Sequence, residues 1–112
     1  MTERVVTLNI QKNGAQDRAL TLVPGTMRLG RAEDNEICLP DIGVSRRHAR
    51  ILVDDHGVTF EDLGSGNGSW FQGRKLGTHM VAHGDEVNIE PFTLRFELYE
   101  DEHTAGESTK LL

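Results

Sequence analysis

What most constrains the fold of this chain is alternation of apolar and polar residues in short runs, each cut by a turn signal. Phe92, Leu94, Phe96 and Leu98 fall on one face of an extended segment, with Thr93, Arg95, Glu97 and Tyr99 on the other. Val6, Leu8 and Ile10 repeat the pattern near the N-terminus, as do Val58 and Phe60 later. Ile51-Leu52-Val53 is a β-branched-rich run that suits an interior strand. Between the runs stand Asn13-Gly14, Pro24-Gly25, Asp41-Ile42-Gly43, Asp55-His56-Gly57 and His83-Gly84-Asp85, residues that favour tight turns. Helical periodicity is hard to find anywhere. Many short strands with frequent turns predict an all-β fold, an antiparallel sandwich or barrel.

Composition narrows the functional classes. The 112 residues suffice for one domain, and the single cysteine excludes an internal disulfide. No apolar run approaches the ~20 residues of a membrane span, and no charged-then-apolar leader follows Met1. The expectation is a cytoplasmic domain without a membrane partner. The net charge of −6 argues against nucleic acid. The charge is uneven, however. Five arginines (28, 31, 46, 47 and 50) share residues 28–50 with four acids, so any positive site there is local. After Tyr99 the alternation stops, and residues 100–112 read as a polar tail or linker, with Thr104, Ser108 and Thr109 as acceptors for a kinase. The domain is placed at residues 1–99.

Four constellations invite a chemical reading. Asp62-Leu63-Gly64-Ser65-Gly66-Asn67-Gly68-Ser69 has the glycine density of a phosphate cradle, but the glycines alternate singly and neither Lys-Ser/Thr nor a helix pattern follows. By itself it is a tight loop with Asn-Gly turn chemistry. Ser45-Arg46-Arg47-His48 gathers a hydroxyl, two guanidinium groups and an imidazole, yet no nucleophile elbow surrounds the serine, so no catalytic residue is assigned. His79 and His83 would share a metal ion on a helix. In an extended segment their rings lie roughly 13 Å apart, so no metal or other cofactor is expected. Cys38 reads as a small buried apolar residue.

In order and spacing, Gly30-Arg31, Ser45-x-x-His48, Asp62 through Gly68 and Gly84-Asp85 resemble the forkhead-associated (FHA) domain family. Leu39-Pro40-Asp41 and Val87-x-Ile89 look like that family's usual flanks. The resemblance implies an eleven-stranded antiparallel β-sandwich of the FHA/SMAD-like kind. It implies a non-enzymatic module that binds phosphothreonine in a partner protein, downstream of a Ser/Thr kinase. Arg31 matches the family's phosphate-contacting arginine, Ser45 the hydroxyl donor, and Arg46 a residue that helps hold the phosphate. Asn67 matches the asparagine that bonds the peptide main chain. Gly30, His48 and Gly68 match loop-shaping positions. At Gly66 the family often carries Thr, Ser or a basic residue, so only the backbone N–H remains there for a ligand. Gln72-Gly73 stands for a frequent Asn-Gly, a turn change expected to be harmless. The alternative function is a phosphate-independent interaction or oligomerisation module of the same fold, regulatory within a larger protein or complex.

Overall fold

The alternating segments become eleven strands in two sheets in the computed structural model, which describes residues 2–102, with side chains placed for 4–100. In chain order these are β1 (Thr2–Lys12), β2 (Ala15–Leu22), β3 (Gly25–Gly30), β4 (Ile37–Cys38), β5 (Ala49–Asp54), β6 (Gly57–Asp62), β7 (Trp70–Phe71), β8 (Arg74–Lys75), β9 (Thr78–Val81), β10 (Glu86–Ile89) and β11 (Phe92–Glu102). One sheet runs β2-β1-β11-β10-β7-β8 and the other β4-β3-β5-β6-β9. All pairings are antiparallel except β3 with β4, where Leu29 faces Ile37 and Gly30 faces Cys38 in parallel. No described helix is long and apolar enough to cross a membrane.

The core follows the period-2 pattern. Val6, Leu8 and Ile10 of β1 lie opposite Leu98, Phe96 and Leu94 of β11, and this face meets Leu29, Ile51, Val53, Val58, Phe60 and Val81 of the second sheet. Phe60, Phe96 and Leu94 are wholly buried, each worth ~1.5–3 kcal/mol relative to exposure. The Ile51-Leu52-Val53 run takes the interior strand expected of it. Its strand is central in the sheet, but Leu52 is 39% exposed because a sandwich covers one face of each sheet. Asn13-Gly14 closes the β1–β2 hairpin with φ of 52° and 81°, the left-handed pair that a two-residue turn needs.

β11 continues to Glu102, opposite Thr2, three residues past the point where alternation ends. Its backbone groups go on pairing with β1 after the side-chain pattern has faded. The Thr104, Ser108 and Thr109 expectation, and the tail beyond Glu102, lie outside the described residues.

Register puts the long loops together. Leu29 of β3 pairs with Ala49 of β5, which pairs with Asp62 of β6. The end of β3, the start of β5 and the end of β6 therefore lie side by side. Residues 31–48 and 63–69 all emerge at that one end of the sandwich.

Candidate functional site

The strand ladder extends into these loops and sets the position of each candidate residue. Arg31 N donates to Ser45 O at 2.9 Å, His48 N to Leu29 O at 2.9 Å, and Leu63 N to His48 O at 3.0 Å. Gly30 sits where the chains are closest. A Cβ there would overlap the Arg46 carbonyl and stand 2.9 Å from Ser45 O, so only glycine allows the β3 end to approach the 45–46 segment.

His48 joins the two loops from beneath. Its side chain is wholly buried, Nδ1 accepts the Ser45 N–H at 3.1 Å, and Nε2 lies 3.1 Å from Gly68 O. Because Nδ1 must accept, the proton sits on Nε2 and is donated to Gly68. Burial pushes the imidazole pKa down, and it outweighs the Gly68 carbonyl and the nearby Asp62 carboxylate, which favour the charged form. The ring is a neutral strut and makes no contact with Ser45 Oγ suited to proton abstraction. Gly68, the other end of the strut, has φ +84° with Lys75 Cε and Trp70 Nε1 each 3.0 Å from where a Cβ would stand.

Asp62, not singled out from the sequence as a site residue, organises the second loop. Its Oδ1 accepts the N–H groups of Gly64 at 2.8 Å and Ser65 at 2.9 Å. Its Oδ2 accepts the hydroxyls of Ser65 at 2.7 Å and Ser69 at 2.6 Å. Burial is the largest influence on this carboxyl and raises its pKa. The hydrogen bonds from Ser65, Ser69 and Gly64 together exceed it and leave the pKa below the ordinary value. The available signal was an aspartate two and three residues before backbone donors, the Asx pattern, with serines following.

The staple presents Asn67 at the surface. Its Nδ2 donates to Gly43 O at 2.9 Å, and its own carbonyl accepts the Trp70 indole N–H at 3.0 Å. Ser45 Oγ accepts the Gly66 N–H at 3.0 Å, which leaves the hydroxyl proton free to donate. The Gly66 N–H is thus already engaged by Ser45, a correction to its expected availability. Gly66 itself has an open surround, with Ser45 Oγ 3.9 Å from a Cβ position as its nearest neighbour.

The basic stretch divides in two. Arg28 pairs with Glu36 at 3.2 Å, Arg47 with Asp34 through two contacts of 2.7 Å, and Arg50 with Glu61 at 2.6 Å. Arg28, by hydrogen bonds from its side chain and backbone, holds the Glu36 pKa down at about 2. Arg47 likewise lowers that of Asp34. Arg31 and Arg46 have no carboxylate partner among the described residues. Arg31 is fixed by Nε donating to Val44 O at 3.0 Å, with its terminal nitrogens free of described protein acceptors. The two arginines of this stretch without a described acidic partner are thus Arg31, whose N–H bonds the Ser45 carbonyl, and Arg46, which follows Ser45, while the other three are neutralised.

The remaining candidates separate. His79 bonds Asp85 at 2.9 Å and stacks on Phe71, whereas His83 accepts the Leu98 N–H and packs against Tyr99. No cluster of metal-ligating side chains occurs among the described residues. Cys38 is half-buried rather than buried, its Sγ 3.5 Å from Arg31 O, because the two-residue β4 lies at the sheet edge.

Known proteins share this chain's sequence pattern and fold. The glycogen accumulation regulator GarA of Mycobacterium tuberculosis is 39% identical over 67 residues, covering 60% of this chain and 41% of that protein. This chain spans less than half the length of the first curated relatives it matches. A solved domain from a set of phosphothreonine-dependent FHA interactions superposes with TM-score 0.75 at 30% identity, covering 83% of this chain and 95% of that one. Mycobacterium tuberculosis EmbR in complex with a low-affinity phosphopeptide gives TM-score 0.76 at 29% identity, covering 89% of this chain and 26% of that one. The family model for the FHA domain matches residues 27–90, from β3 to the end of β10, the stretch that builds the Arg31–Ser45–Asn67 surface. By this match, supported by the shared fold, the chain belongs to the FHA domain family.

Proposed function

We propose that this domain binds a phosphothreonine-containing segment of a partner protein phosphorylated by a Ser/Thr kinase, and that it recruits rather than reacts. The observation that carries the reading is the pairing pattern of the arginines in residues 28–50: those without a described carboxylate are Arg31, whose N–H bonds the Ser45 carbonyl, and Arg46, which follows Ser45. A phosphothreonine brings about −1.5 to −2 charges and three acceptor oxygens. The terminal nitrogens of Arg31 supply a fork for two of them, the Ser45 hydroxyl a third donor, and Arg46 a second cation. Asn67 is held through Nδ2, which leaves Oδ1 to accept a peptide N–H. Gly30, His48 and Gly68 hold these groups in place and touch no ligand. A net charge of −6 is no obstacle, because the positive site is confined to one loop end. In this reading the binding unit is the domain of residues 1–99, carried by β11 to Glu102, and its setting is the cytoplasm, where the kinases and their substrates meet.

Titration of matched Thr, phosphoserine and phosphothreonine peptides tests the reading. Phosphothreonine binds, phosphoserine binds about fivefold more weakly for want of one buried methyl (~1 kcal/mol), and the unmodified peptide does not bind measurably. Equal affinity for all three sinks it. Arg31→Ala abolishes phosphate-dependent binding while the melting transition is kept. A variant that still distinguishes the phosphorylated peptide removes Arg31 from the role.

A further inference from the structure

The charge inventory has one more member. Six of the described Lys and Arg residues pair with carboxylates: Lys12, Arg18, Arg28, Arg47, Arg50 and Arg95. Arg4 instead donates to the carbonyls of Asp54 and Asp55 at the opposite end of the sandwich. Four remain without a described acidic partner: Arg31, Arg46, Arg74 and Lys75. Arg74 and Lys75 are neighbours in β8, so their side chains leave opposite faces of the strand. Lys75 pairs in register with Trp70 and Arg74 with Phe71. Lys75 therefore shares the Trp70 face, and its Cε lies over Gly68, 3.0 Å from that residue's Cβ position. The Trp70 indole on the same face is bonded to the Asn67 carbonyl. Lys75 is thereby placed at Gly68, on the Asn67 side of the site.

We propose that Lys75 reads a second anionic group on the bound peptide, close in sequence to the phosphothreonine, so that the preferred partner segment is an acidic phosphopeptide. The inference rests on the phosphothreonine reading above and adds a selectivity to it. Reach supports it. The Gly66 N–H is 3.0 Å from Ser45 Oγ, and Gly68 is two residues further on. Bond lengths then bound the Lys75 ammonium to within about 18 Å of Ser45 Oγ, roughly five residues of extended peptide. Gly66 and Gly68 add no side chains to the loop between them, and the Asn67 amide is turned to Gly43 O. The protein's overall −6 repels acidic peptides, so a preference for them must come from a local cation. The second anion is a carboxylate or another phosphate, and the experiment separates the two.

A phosphothreonine peptide with otherwise neutral flanks is compared with versions carrying one Asp at each position from five before to five after the phosphothreonine. The parent peptide tests the underlying reading: if it fails to bind, the phosphothreonine function falls and this inference with it. If it binds, one or two Asp positions bind the wild type about two- to fivefold tighter, the range of an exposed ion pair. Lys75→Gln loses that gain and keeps its affinity for the parent peptide. Arg74→Gln, an equal charge change on the other face, keeps the gain. No tighter Asp position, a gain that survives Lys75→Gln, or an equal loss in Arg74→Gln overturns the inference. Replacing the best Asp with phosphoserine identifies the source: a further gain lost in Lys75→Gln assigns a second phosphate, and no further gain assigns a carboxylate.

Discussion

Replacing His48 with asparagine isolates the buried strut and its titration. The wild-type imidazole is neutral, wholly buried and bonded at both nitrogens, and its folded pKa lies below the ordinary value of ~6.5. In the unfolded chain it titrates near 6.5. Below that pH the unfolded state holds a proton that the folded state refuses, so the contribution to stability is complete above pH 6.5 and is lost as pH falls toward the folded pKa. The slope in that window is about 1.4 kcal/mol per pH unit, which limits the loss between pH 7.5 and 5.5 to about 1.4 kcal/mol. In His48→Asn the amide oxygen takes the place of Nδ1 and still accepts the Ser45 N–H, but nothing reaches the Gly68 carbonyl. An unpaired buried carbonyl and the lost ring packing cost about 2–4 kcal/mol at pH 7.5, tolerable within a domain stability of about 5–15 kcal/mol. Urea unfolding followed by the fluorescence of Trp70, at three pH values and fixed ionic strength, measures both quantities. The other histidines titrate in both proteins and cancel in the difference. The gap between the two proteins narrows on acidification, by up to about 1.4 kcal/mol. Parallel stability curves would refute a neutral, buried His48.

The remaining predictions concern backbone positions. Gly30→Ala places a methyl group on the Arg46 carbonyl and destabilises the domain by about 3 kcal/mol, read as a lowered melting temperature; an unchanged melt refutes the close approach. Gln72→Asn does the reverse. Gln72 sits at φ 52° before Gly73 at φ 78°, a left-handed turn that asparagine tolerates better, so the variant gains about 0.5 kcal/mol and melts a few degrees higher. The change from Asn to Gln at this turn then carries a small stability cost, and no rise in melting temperature would contradict that.

Much of the fold was legible in the chain because the driving pattern is local. Val6, Leu8 and Ile10, or Phe92, Leu94 and Phe96, declare a buried face by their spacing, and Asn13-Gly14 declares its turn by backbone preference. Leu52 was harder. Within Ile51-Leu52-Val53 no local signal says that one residue of an apolar run faces water, and only the one-sided cover of the sheet settles it. Cys38 was misplaced for the same kind of reason, since an edge strand buries less than its composition suggests. The motif contains Asp62 but not its role, because that role lies in four converging donors, a property of the folded loop.

The sandwich, its turns and an arginine, a serine and an asparagine at family spacing follow from local order along the chain. The chain alone cannot say which of the five arginines near Ser45 are free, because guanidinium groups one to twenty-two residues apart compete for the same few carboxylates. The tertiary structure decided that. By bringing Glu36 to Arg28, Asp34 to Arg47 and Glu61 to Arg50, it neutralised three charges and left Arg31 and Arg46 without a described carboxylate. It also set Lys75 beside Gly68 through a two-residue strand pair that no periodicity announces. Local spacing governs which face a side chain takes, but charge pairing depends on separations of a few ångströms that exist only after the strands have aligned.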